Sequence, residues 1–191
     1  VPHASWSRVV ADDPINTKNG YRLKLLLQGT ARNVLSETSY LSGSLNYKGI
    51  RTLGTGNRFI GRMDLGATWA EGIRDVPASQ RFFAGGDNSI RGWGLDALGP
   101  RDSETGQVIG GRYLAVGSLE YQRSITGPWS GVVFTDFGNA FDPDYNADWE
   151  QSAGVGLRFG TPIGPVRVDV AYALTKDPAG FRLHVGLGPD L

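Results

Sequence analysis

The sequence predicts an all-β chain, a transmembrane antiparallel β-barrel segment of about eight or nine strands. Three observations predict it. Apolar and polar residues alternate with period 2 over segments longer than the usual soluble strand of about 5–6 residues. The polar set in those segments is mostly Gly, Ala and Ser with scattered Arg, Asp and Glu, which suits a crowded lumen better than a solvated face. Glycine supplies 28 of the 191 residues, about twice the usual ~7%, and it is spread among apolar and aromatic residues, not pooled in a linker.

Composition removes other classes. Lys+Arg and Asp+Glu are 19 each and the pI is near 6.9, so nothing electrostatic favours nucleic acid. There is no cysteine, and His3 and His184 are the only histidines. No disulfide, thiolate metal site or cofactor is expected. Mean hydropathy is −0.24 and no run of about 18 apolar residues occurs, so no transmembrane helix is expected. A barrel tolerates that hydropathy because only alternate residues meet lipid. The start, Val1-Pro2-His3, is expected to be that of a mature form or an excised fragment.

The elements follow in order. A first strand near Trp6–Val10 is weakly patterned. In the next, Tyr21, Leu23, Leu25 and Leu27 oppose Arg22, Lys24 and Gln28, with Leu26 out of phase. Leu41, Leu45 and Tyr47 then oppose Ser42, Ser44, Asn46 and Lys48. Phe59, Met63, Leu65 and Trp69 oppose Arg62, Asp64, Gly66 and Thr68. Tyr113, Ala115, Leu119 and Tyr121 oppose Arg112, Ser118, Glu120 and Gln122. From Trp129 to Gly138 the pattern weakens, because Val132 and Phe134 share a face with Asp136. The last three segments alternate cleanly over Ser152–Gly160, Val166–Leu174 and Phe181–Gly188. Each strand is expected to reach the roughly 9–11 residues of a tilted crossing. Aromatics near strand ends suit interfacial girdles. The only helical piece expected is Leu95–Leu98. Connections at Ile125–Pro128 and Gly160–Pro165 look tight, and those at Phe141–Asp148 and Thr175–Gly180 longer. A soluble ligand-binding barrel and a passive pore remain alternatives on pattern alone.

Residues 73–111 break the pattern. A connection this long is functional or disordered, and its centre, Phe82-Phe83-Ala84-Gly85-Gly86-Asp87-Asn88-Ser89-Ile90-Arg91-Gly92-Trp93-Gly94, sets glycines beside aromatics, which implies tight packing. If it enters a lumen, Arg91 needs a carboxylate. Asp136 is the first candidate and Glu120 the second. The alternative is a solvated Arg91, with Asp136 paired to Arg158. Two glycine sets are expected: Gly66, Gly154, Gly156, Gly186 and Gly188 make room in the lumen, while Gly85, Gly86, Gly92 and Gly94 shape the loop. Enzyme readings score poorly. There is no G-x-S-x-G elbow, Gly154–Gly160 lies within a strand and so forms no dinucleotide loop, and His184 alternates into the polar face with no nucleophile nearby. Asp64, Glu120, Asp136 and Asp169 are expected as lumen ion-pair partners, not as acid/base pairs.

The segment Phe82 to Trp93 resembles the sixth-loop signature of the BamA/TamA superfamily of outer-membrane assembly and translocation barrels, centred on Arg91-Gly92-Trp93. Phe134-Thr135-Asp136-Phe137-Gly138 is similar to that family's Phe-x-Asp-x-Gly strand motif. The loop motif and the ending Gly186-Leu187-Gly188-Pro189-Asp190-Leu191 look most like the TamA branch. The resemblance implies a sixteen-stranded barrel preceded by POTRA domains, of which residues 1–191 would be the C-terminal barrel part. It implies a loop folded into the lumen, with Phe82, Gly85, Gly86, Ile90, Gly92 and Trp93 forming its motif and Arg91 paired to Asp136. It also implies a weak seam between first and last strands that templates substrate strands. Gly180, Phe181, Leu183, Val185 and Leu187 match the recognition signal of the last strand, whereas Ala179 and the non-aromatic C-terminus depart from it. Implied partners are membrane lipid, unfolded outer-membrane or autotransporter-type substrates and an inner-membrane protein. A two-partner or patatin-fused secretion transporter is the alternative within the superfamily. Nine strands is an odd count, so either the weakly patterned first segment is not a strand or the fragment pairs its edges with another chain.

Overall fold

The structure is a computed structural model that describes residues 1–31, 38–176 and 180–191. Among these residues nine strands follow in chain order: β1 (His3–Ala11), β2 (Gly20–Thr30), β3 (Tyr40–Leu53), β4 (Asn57–Trp69), β5 (Tyr113–Thr126), β6 (Trp129–Phe141), β7 (Glu150–Phe159), β8 (Val166–Ala173) and β9 (Phe181–Leu187). They form one antiparallel sheet in the order β1 to β9 with no crossover. Among the described residues, β1 and β9 are its two edges. Ala179 lies outside the described residues.

Strand register sorts the side chains into two faces. One row reads Tyr21, Gly49, Gly61, Leu119 and Thr135 across β2 to β6, and the next Leu23, Tyr47, Met63, Gly117 and Phe137. This outer face is apolar and exposed, with Leu183 and Val185 on β9 among its most open positions. Two aromatic bands border it. Tyr21–Tyr47, Phe59–Tyr121 and Trp129–Phe159 pair at the end of the short turns. Phe141–Trp149 and Tyr172–Phe181 pair at the opposite end, where Trp69 and Tyr113 also stand. From Phe59 to Trp69 β4 rises about 33 Å, which at a tilt of about 40° covers about 25 Å, the height of a barrel's lipid-facing band.

The inner face carries the polar set, including Lys48, Arg58, Arg62, Asp64, Glu120, Asp136, Arg158 and Asp169. The sheet curls, since Arg58 on β4 reaches Asp190 beyond β9 at 2.6 Å. Val132 and Phe134 point inward beside Asp136 and are buried. They break the alternation because the lumen beneath them is filled by protein, not water.

Three expectations need correction. Leu95–Leu98 is a turn, and Asp96 has φ of 53°. The short helical turns lie instead at Ile73–Asp75 and Ala78–Gln80. Strands β8 and β9 have 8 and 7 residues, below the expected crossing length. β5 also runs on to Thr126 through a bulge at Ser124/Thr126, leaving only Gly127-Pro128 as the turn.

Candidate functional site

The connection between β4 and β5 folds as a compact plug. Phe82 and Gly111 exchange backbone hydrogen bonds of 2.9 and 2.8 Å, and Ala84 and Leu98 exchange bonds of 3.1 and 2.9 Å. Arg81 donates to the carbonyls of Val76 (2.8 Å) and Ile109 (3.1 Å) and ties the two limbs together. At the base, Arg112 clamps Asp142 through Nε (2.8 Å) and Nη2 (3.0 Å). Burial opposes the Asp142 charge, but the Arg112 hydrogen bonds prevail and hold this carboxyl below its ordinary range.

The plug's apolar side faces the strands. Ala84, Ile90, Trp93 and Leu98 pack with Val116 of β5 and Ala173 of β8. Ile90 is fully buried, a contribution of about 1.5–3 kcal/mol. The Phe82 ring covers Gly66, where a Cβ would come within 2.5 Å of it. Gly92 has φ of 91°, and a Cβ there would meet the Ala173 backbone nitrogen at 3.1 Å. Glycine at 92 thus serves both the left-handed turn and the close approach to β8.

Arg91 is 4% exposed and Asp136 is 0% exposed. Nε and Nη2 of Arg91 donate to the two Asp136 carboxylate oxygens at 2.8 Å each, and the Arg91 backbone N–H donates to Asp136 Oδ2 at 3.0 Å. The guanidinium also meets Glu120 Oε1 at 2.8 Å, Asp169 Oδ2 at 3.1 Å and Ser118 Oγ at 3.2 Å. Its flat side stacks on Phe134, 3.5 Å from the ring centroid. Opposite, a Cβ at Gly154 would overlap the Phe134 ring, so β7 leaves the space the ring occupies. Glycine, ring and guanidinium form one stack across β7, β6 and the loop.

Arg158 does not pair with Asp136, the alternative considered from sequence. It binds Asp169, with one bond at 3.0 Å, and approaches Glu120 at 3.4 Å. Arg158 and Arg91 therefore share Asp169 and Glu120, and this sharing offsets the cost of burying charge. Arg62 adds a hydrogen bond to the Ser89 carbonyl.

His184 of β9 accepts the Gly92 N–H on Nε2 at 3.0 Å and contacts Asp87 through Nδ1. The loop tip is thereby bound to the last strand. Sequence reasoning placed His184 on the polar face but gave it no partner, because that partner is a backbone amide remote in sequence. Replacement of His184 with Phe should leave this buried N–H unpaired, cost about 1–3 kcal/mol and lower the thermal unfolding midpoint; an unchanged midpoint would show that the contact is dispensable.

The other expected residues fall in two places. Gly85 and Gly86 shape the loop hairpin with Ser89, and Gly138 lies on β6 against Val116. Phe181, Leu183, Val185 and Leu187 stand exposed on the outer face of β9, with Gly180 just before it. Gly186 has open space around it, and Gly188 lies past the end of β9 rather than on its face. Asp169 was legible as a lumen charge but not as a ligand of Arg91. Among the described residues no cluster of His, Cys, Asp and Glu could hold a metal.

An apolar belt between two aromatic girdles, around a polar interior filled by a docked loop, defines a transmembrane β-barrel segment of the outer-membrane type. The Omp85 superfamily domain model matches residues 3–190, and the chain belongs to that superfamily. It is 28% identical over 193 residues to the outer membrane protein assembly factor BamA of Nitratidesulfovibrio vulgaris, a match covering 97% of this chain and 24% of that protein. It is 32% identical over 120 residues to the chloroplastic outer envelope protein 80 of Arabidopsis thaliana, covering 57% of this chain and 15% of that one. The chain thus spans a quarter or less of the length of these relatives. Its fold resembles the crystal structure of BamA from Haemophilus ducreyi lacking POTRA domains 1–3, with a TM-score of 0.80 at 22% identity over 98% of this chain and 41% of that one. The chain is accordingly an outer-membrane protein, like its BamA relatives in Gram-negative bacteria.

Proposed function

We propose that residues 1–191 form the C-terminal part of the barrel of an outer-membrane protein assembly factor, whose POTRA domains and earlier strands lie elsewhere in the protein. The observation that carries this reading is the loop docked in the lumen by Arg91, Asp136 and Glu120. A docked loop fills the interior and stiffens the wall, which suits a barrel that works at its edge and not as a passive pore. Strand β9, from Phe181 to Leu187 with Gly180 before it, is the seam strand. Its exposed edge offers backbone donors and acceptors to an incoming substrate strand by β-augmentation. Substrates are unfolded outer-membrane proteins. The finer reading, a TamA-type module with autotransporter-type substrates and an inner-membrane partner, rests on the loop motif and the ending Gly186–Leu191.

The test is reconstitution of the full-length protein in liposomes with a urea-denatured outer-membrane barrel as substrate. Heat-resistant substrate should accumulate faster than in empty liposomes. Equal rates, or ion conductance with no assembly, would reject the reading.

A further inference from the structure

The outer face of the strands holds a feature that loop docking and the seam do not use. Among the described residues, the charged side chains on that face are Arg8, Arg51 and Arg123, with no carboxylate beside them. Charges facing lipid are costly unless an interface partner meets them. Arg51 and Arg123 lie on β3 and β5 at the girdle of the short-turn end, flanking β4. Arg51 pairs in register with Phe59, and Arg123 with Asn57. Two strand spacings across the sheet and two residues along it put the two backbones about 12 Å apart, close enough for the long side chains to converge on one headgroup. Arg123 leans toward β4 by donating to Asn57 Oδ1, which also accepts the Tyr121 hydroxyl at 2.7 Å.

Next to this pair the apolar face is indented. Gly49 and Gly61 oppose each other directly; the Tyr47 ring lies over Gly49, while Gly61 stays open and floors a groove of about 910 Å³ walled by Tyr21, Tyr47, Leu119 and Arg51. That size is within the ~300–1,000 Å³ of small-ligand sites. A cationic end and a glycine-floored apolar trough match an anionic headgroup and its acyl chain.

We propose that Arg51 and Arg123, with the groove at Gly61, bind an anionic phospholipid of the membrane leaflet on the short-turn side. The guanidinium groups hold the phosphate, the girdle rings Phe59 and Tyr121 flank the glycerol region, and an acyl chain lies over Gly61 beside the Tyr47 ring. The proposal depends on the chain's position in a membrane and not on its role in assembly.

The test uses the full-length protein in nanodiscs of phosphatidylethanolamine and phosphatidylglycerol, released and weighed by native mass spectrometry. Wild type should retain phosphatidylglycerol above its share of the disc. Arg51→Gln/Arg123→Gln should retain about tenfold less. Gly61→Leu fills the groove with the charges intact and should also lose the lipid, whereas Arg51→Lys/Arg123→Lys should keep most of it. An intact heat-modifiable band confirms folding of each variant. Retention in proportion to disc composition would overturn the proposal, as would loss in the Gln variant but not in Gly61→Leu, or displacement of the lipid by inorganic phosphate at equal concentration.

Discussion

Replacing Arg91 with Ala should cost about 3–5 kcal/mol of stability, the range for removing one partner of a buried ion pair. Three carboxylates, Asp136, Glu120 and Asp169, converge on this guanidinium. Without it they face one another, Arg158 pairs with only two of them and Arg62 stays on the Ser89 carbonyl, and the Phe134 ring loses its cation. The loop should leave the lumen instead of tolerating that charge. The urea midpoint in detergent micelles should fall, and the heat-modifiable band should convert at lower temperature. A double variant, Arg91→Met with Asp136→Leu, should be less damaging than the sum of the two single changes, because it removes cation and anion together. Recovery would be partial, since Glu120 and Asp169 remain. A single-variant midpoint within error of wild type would contradict the role given to Arg91.

The second large effect should come from a residue that never touches the loop. Gly154→Val sets a branched side chain where the Phe134 ring lies, and also against the Val170 carbonyl of β8, which cannot move without breaking the sheet. Overpacking of this kind costs about 1–3 kcal/mol, and loss of the cation–π contact adds about 1–2 kcal/mol where the pair is desolvated. Because the ring is the floor under Arg91, Gly154→Val and Arg91→Ala should be non-additive in a double-mutant cycle. A control at Gly186, where a Cβ meets nothing within 4 Å, should change stability by less than about 0.5 kcal/mol. Equal effects at 154 and 186 would mean that the stack is not what position 154 supports.

The strands were legible in the sequence because period 2 is a local property, and the outer face read correctly almost residue by residue. The weak spot at Trp129–Gly138 was informative for the same reason. Val132 and Phe134 looked misplaced only on the assumption that every inward position meets water. The short β8 and β9 were not legible, because alternation continues past their last paired residues. The site was legible in part. The charge on Arg91 demanded an anion, and Asp136 and Glu120 were the candidates. What could not be read was the sharing of Asp169 between Arg91 and Arg158, or the Gly92–His184 bond. Both depend on how far the sheet curls, which brings β8 and β9 to a loop that leaves β4. A curl set by register and twist over nine strands leaves no mark in any short window of residues. The glycines behaved similarly. Their excess announced close packing, but only the fold assigns Gly66 to Phe82, Gly154 to Phe134 and Gly92 to the turn against Ala173.

The docked loop is the centre of this account, and amide hydrogen exchange on the membrane-embedded protein tests it most directly. The Arg91 and Gly92 backbone N–H groups donate to Asp136 and His184 in the lumen. They should exchange as slowly as the amides of β6, and Arg91→Ala should release them to the rate of an exposed turn such as residues 54–55. Exchange of Arg91 and Gly92 at the exposed-turn rate in the wild-type protein would mean that the loop does not reside in the lumen, and would contradict the account.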